Sequence, residues 1–264
     1  MMRPSPNSVP NAGCCTTILQ DETTPSGLQP DPAAASDAGA ARAVREWLWT
    51  LFAAALLLLT IRSVLVEAFR IPSGSMEDTL LTGDFVLVNK AIYGARIPLT
   101  PFRLPAFGQP RRGEVVVFEP PHEVGKTYVK RLVGLPGDTV EMRDKALYVN
   151  RQRVVEPYAR YSDARDLFPP GVAWQCRFML RRPGRNACQP SRDNWGPLVV
   201  PDGRFMVLGD NRDDSEDSRY WGFVPESALR GRPLMVYYSF EPDGAGTAPW
   251  LTQVRWSRIG HVVD

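Results

Sequence analysis

Tyr128-Val-Lys-Arg-Leu-Val-Gly-Leu-Pro-Gly-Asp138 is the stretch on which the fold turns. Tyr128, Val129, Leu132 and Val133 are β-favouring or apolar residues, and Pro136-Gly137-Asp138 ends the run as a turn. A strand is expected, and a cation stands inside it. On strict alternation Lys130 shares a face with Tyr128 and Leu132, while Arg131 points the other way. Lysine is rarely buried unless it is paired or functional. A lysine amine held among apolar groups loses the hydration of its charged form, which lowers its pKa. The alternative is a lysine whose stem packs while its ammonium reaches water.

Outward from this stretch, similar runs recur: FVLVNK (85–90), EVVVF (114–118), ALYVN (146–150), RFMVLGD (204–210) and PLMVYYSF (233–240). Turn signals such as Pro201-Asp202-Gly203 separate them, with no helical periodicity between. The reading is a mostly β, antiparallel domain built from residues 69–138 and 204–264. A smaller β region, 139–203, is inserted between its halves. Twenty-five prolines among 264 residues fit short strands and turns better than long helices.

The N-terminal part differs. Residues 1–44 are rich in Pro, Ser, Thr, Ala and Gly and read as a disordered tail. Residues 47–61, WLWTLFAAALLLLTI, carry no charge, and beyond Arg62 apolar residues resume through Phe69. Segment 45–68 is therefore expected to be a transmembrane anchor helix, with Trp47 and Trp49 at an interface. A buried soluble helix and a cleaved signal peptide are the alternatives. More than forty residues precede the run, so the uncleaved anchor is preferred. Arg42 and Arg45 before it balance Arg70 and Lys90 after it, so charge does not set its orientation.

Thirty-one basic and 29 acidic residues leave a formal charge of +2, which argues against a nucleic-acid partner. Two histidines, His122 and His261, make a Ser-His-Asp triad improbable and leave little for a metal site. Cys176 and Cys188 could form a disulfide or remain two free thiols. Two further segments have chemical potential. In Ile71–Val88, Pro72 and Gly74 set Ser73 and Ser75 in a tight bend. In GDNRDDSEDSRYWG (209–222), Asp217 and Arg219 can pair, and Ser215 can meet a lysine amine. The spacing there is not that of a calcium loop.

In this order the three segments resemble the motifs of the bacterial type I signal peptidases: PSxSMxPTL, KRxxGxPGD and GDNRxxSxDSRxxG after a membrane span. Here they stand as Pro72–Leu80, Lys130–Asp138 and Gly209–Gly222, and Trp256–Gly260 is similar as well. The likeness covers most of residues 60–260 apart from 151–200. One departure is Asp78, where the family has proline. The resemblance implies a Ser-Lys protease with Ser75 as nucleophile and Lys130 as general base. It implies an oxyanion hole from Ser73 and the Ser75 backbone, with Ser215 orienting Lys130 and Asp217–Arg219 bracing the loop. A substrate cleft of Ile71, Met76, Leu80, Tyr128 and Val129 would accept small-x-small signal-peptide ends. It further implies no cofactor or metal. The partners would be preproteins and the lipid bilayer, with one span in the bacterial inner membrane and the catalytic domain on its periplasmic side. A self-cleaving repressor, a conjugation-system peptidase and a catalytically silent peptide-binding module are the rival readings.

Overall fold

The structure is a computed structural model that describes residues 32–95, 102–180, 188–244 and 248–264, with side chains of 32–41 and 60–64 outside the description. Most of the tail expected over 1–44 lies outside the described residues. The chain divides into two units, Met1–Ala53 and Ala54–Asp264.

Helix α1 spans Pro32–Val64. Its side chains from Arg42 to Leu59 are exposed, including Trp47, Trp49, Phe52 and Leu56 to Leu59. Among the described residues no helix is long and apolar enough to cross a membrane. The run that motivates an anchor continues through residues whose side chains are not described.

The strand runs pair into antiparallel sheets. Strands β1 (Val66–Arg70), β2 (Asp84–Asn89), β3 (Val115–Phe118), β4 (Tyr128–Gly134), β9 (Arg204–Leu208), β10 (Val224–Pro225) and β11 (Leu229–Ser239) form one seven-stranded sheet. Its order is β1-β2-β11-β3-β4-β9-β10. A second sheet, in the order β7-β6-β5-β8, joins Gln152–Arg153, Ala146–Val149, Thr139–Arg143 and Trp195–Val199. Every neighbouring pair is antiparallel.

β4 is central in its sheet, and its register decides the chemistry. Val129 stands opposite Val117, Lys130 opposite Val116 and Arg131 opposite Val115, with Leu208 across Arg131 on the other side. A bulge falls between Leu132 and Gly134. Because β4 is covered on both faces, even its charged residues are buried: Lys130 is 4% exposed and Arg131 3%. Val129 packs with Ile71, Met76, Leu80 and Val117 in one core cluster, and Leu132 with Val116, Phe118 and Val207 in another.

Candidate active site

The first motif forms a single 3-10 turn, Gly74–Met76, entered through Ser73 in extended conformation. The turn buries Ser75 and Met76, while Ser73 stays exposed. It stands directly beside the third motif. Asn211 N–H donates to the Ser75 carbonyl at 3.1 Å, and Asn211 Nδ2 donates to the Gly74 carbonyl at 3.2 Å. Gly209 permits this approach. A Cβ at that position would lie 2.5 Å from the Ser75 carbonyl oxygen and 2.1 Å from Ser215 Oγ, so any side chain would push the two motifs apart.

The second motif brings a lysine to this serine. Lys130 Nζ lies 2.5 Å from Ser75 Oγ, a buried hydrogen bond between residues 55 positions apart. Burial pulls the lysine from its ordinary 10.5 down to about 8. Asp217 and Arg219, the next largest influences, act in opposite directions and partly cancel. Roughly a tenth of the amine is therefore neutral at pH 7, and about half at pH 8, which supplies the unprotonated form a general base requires. The Tyr128 ring lies 5.8 Å from Nζ, on the face that alternation assigns to both residues. Ser73 Oγ lies 3.5 Å from Ser75 Oγ.

Asp217 and Arg219 are both fully buried and form a two-pronged pair. Arg219 Nε donates to Asp217 Oδ1 and Nη2 to Oδ2, each at 2.8 Å. Burial alone would raise the Asp217 carboxyl, but the Arg219 guanidinium and the Gly209 N–H hold it below the ordinary carboxylate range. The Gly209 N–H reaches Oδ2 at 3.0 Å.

Two expectations need correction. Ser215 does not bond to Lys130. It donates its hydroxyl to Asp217 Oδ2 at 2.8 Å, because that ionised oxygen is the stronger acceptor within its reach. Leu80 does not line the cleft. It is fully buried in the core with Ile71, Met76 and Val129. Ile71, Met76, Tyr128 and Val129 do line it, together with Ser73, Ser75 and Lys130, in a cavity of about 610 Å³. The cleft runs between the Phe69–Met76 segment and the Lys126–Lys130 segment, with Asp214 and Glu216 also on its wall.

Sequence reasoning missed five contributors. Gly209 and Asn211 position Ser75, and the signal was present in the motif as residues whose role only contact reveals. Arg131 forms a two-pronged pair with Asp210, at 2.9 and 2.8 Å, and stacks on the Tyr158 ring at 3.8 Å. Thr79 Oγ1 donates to Asp210 Oδ2 at 2.6 Å, tying the first motif to that pair. The departing residue, Asp78, sits at φ +82 with its carboxylate largely in solvent, 3.9 Å from Arg160. Proline could not adopt that φ. Among the described residues no group of His, Cys, Asp or Glu is arranged to hold a metal ion. Cys176 and Cys188 are joined as a disulfide.

Comparison with known proteins gives a consistent result. The family model described as "Signal peptidase, peptidase S26" matches residues 44–238. A protein of Pseudomonas aeruginosa named "Signal peptidase I" is 35% identical over 247 residues, covering 88% of this chain and 84% of its own. One of Pseudomonas fluorescens with the same name is 35% identical over 230 residues, covering 81% and 78%. One of Rickettsia typhi, again so named, is 32% identical over 233 residues, covering 77% and 88%.

Proposed function

The chain belongs to the signal peptidase family, peptidase S26, and from that premise we propose that it removes signal peptides from preproteins with a Ser75–Lys130 dyad. The observation that carries the dyad is a buried amine, pulled towards neutrality, at 2.5 Å from a buried serine hydroxyl.

In this mechanism neutral Lys130 takes the Ser75 proton as Oγ attacks the scissile carbonyl carbon. The resulting oxyanion is met by the Ser73 hydroxyl and the Ser75 backbone N–H, a donor pair worth on the order of 3 kcal/mol per donor. The carbon–nitrogen bond then breaks, and the Lys130 ammonium protonates the leaving amine. Lys130 next takes a proton from water. The hydroxide so formed attacks the ester, the acid is released, and Ser75 regains its proton. Asp217, locked by Arg219, Gly209 and Ser215, supplies fixed negative charge near the ammonium in each half-cycle.

The substrate lies extended between the segment ending at Ser75 and β4, gaining affinity from backbone pairing. Apolar contacts from Ile71, Met76, Tyr128 and Val129 favour small residues, in keeping with small-x-small cleavage sites. The apolar run Trp47–Ile61 serves as a single-span anchor in the bacterial inner membrane. It holds the catalytic domain at the periplasmic face and raises its effective concentration against membrane-lodged substrates. Residues 139–203 act as an inserted β subdomain.

The test is to incubate the full chain in detergent with a preprotein and sequence the new N-terminus. Cleavage after a small-x-small motif, absent in Ser75→Ala, is expected. Cleavage that survives Ser75→Ala overturns the dyad. Release of the chain from membranes by alkaline extraction overturns the anchor.

A further inference from the structure

The third motif is braced by a segment that carries none of the three motifs. The 3-10 helix Pro170–Arg177 packs against α2 (Ser218–Trp221), the turn that holds Arg219. Two donors from it converge on one atom: Trp174 Nε1 and Gln175 Nε2 donate to the Arg219 carbonyl oxygen at 3.0 and 2.9 Å. The neighbouring residue, Cys176, is tied to Cys188. Gln175 is fully buried, and its Oε1 has no hydrogen-bond partner among the described residues. An orphaned buried oxygen destabilises a fold, because it gives up hydration and gains no partner. A methionine of similar volume would avoid that cost, so stability alone does not account for the glutamine. What the amide adds is a second donor on the backbone of the residue that grips Asp217.

We propose that Gln175, with Trp174, is a positioning residue for the reaction, pinning the Arg219 backbone so that the Asp217–Arg219 pair closes the wall around Lys130. This rests on the Ser75–Lys130 reading. The charges that reach Lys130 are Asp217, Arg219, Asp210 and Glu216, and burial outweighs each of them. A loosened α2 admits water to Lys130, so its amine moves back towards the ordinary lysine range.

The experiment uses the full chain in detergent and a preprotein, comparing the parent with Gln175→Met and Trp174→Phe. The readouts are kcat and KM from pH 6 to 10 and urea unfolding. For Gln175→Met, kcat at pH 7 falls on the order of 10-fold with KM unchanged. The unfolding midpoint holds, the acid limb of kcat moves up, and the deficit shrinks in alkali. Trp174→Phe behaves in the same direction. A deficit equal at every pH, or one that tracks a lost folded fraction, overturns the proposal and leaves Gln175 merely structural. Variants with the parent's kcat and limb also overturn it, while the dyad stands. A parent that cleaves no preprotein overturns the dyad reading and this inference with it.

Discussion

The two faces of β4 carry neighbouring cations with opposite fates. Lys130 and Arg131 are adjacent and almost equally buried, at 4% and 3% exposure. Arg131 points at a carboxylate and meets it with two hydrogen bonds, while further bonds go to the Gly113 and Asp264 carbonyls. Lys130 points at a hydroxyl, and its hydrogen bond among the described residues goes to Ser75. Burial is thus common to both and decides neither role. A guanidinium cannot shed its proton, so burying it demands a full set of acceptors. An ammonium can escape the desolvation penalty by becoming neutral, which is how a buried lysine becomes a base. One face of the strand is a structural tie and the other, on the proposed mechanism, a reactive site, because of the partner each side chain finds.

The comparison predicts its own failures. The largest effect falls on the lysine face. Ser75→Ala, Lys130→Ala and Lys130→Arg each lower kcat at least about 10³-fold in preprotein cleavage. Turnover retained by Lys130→Arg would erase the distinction between the two cations. On the other face, Asp210→Asn leaves Arg131 buried with a weakened partner and costs about 3–5 kcal/mol in urea unfolding. A cost under about 1 kcal/mol would mean that Arg131 does not depend on its carboxylate.

The third effect concerns pH and stability. The folded value for Lys130, about 8, lies below its ordinary 10.5. The unfolded chain therefore binds more protons between these values, and stability rises with pH across that window. Below pH 8 the buried amine costs the fold about 3 kcal/mol, and the cost vanishes above 10.5. Lys130→Met should accordingly be more stable than the parent at pH 7, by up to that amount, with the gain fading from pH 8 to 10.5. A gain independent of pH would show that the lysine is not the group responsible. The smallest effect lies at Asp78, whose charge sits in solvent beside Arg160. Asp78→Gly relieves a φ of +82 at the cost of an exposed ion pair, and stability should change by less than about 1 kcal/mol. A larger loss would mean that the surface pair matters as the buried ones do.

Much of this was legible beforehand for identifiable reasons. The β runs were visible because alternation and turn residues are local properties, and each of the six appears within or across a strand of the structure. Lys130 was conspicuous as a charge inside an apolar run. Ser215 was misread because a hydroxyl can pair with either a lysine amine or a carboxylate, and only the fold shows that it brings Asp217 within 2.8 Å. Leu80 was misread because an apolar residue near a candidate nucleophile looks the same whether it lines a cleft or fills a core. Gln175 and Trp174 carried no signal, since nothing in a chain shows which distant carbonyl a buried amide will meet.

The order of residues by itself determined the strands, the turns between them and the chemical inventory: a serine bend, an intrastrand lysine and a polar loop rich in carboxylates and arginine. Only tertiary structure decided which of these groups touch. Residues 55 and more positions apart meet through strand pairing and the narrow passage at Gly209, and a pKa depends on that surrounding space. Hydrophobic periodicity is written along the chain. Desolvation and hydrogen-bond geometry exist only once the chain has closed around them.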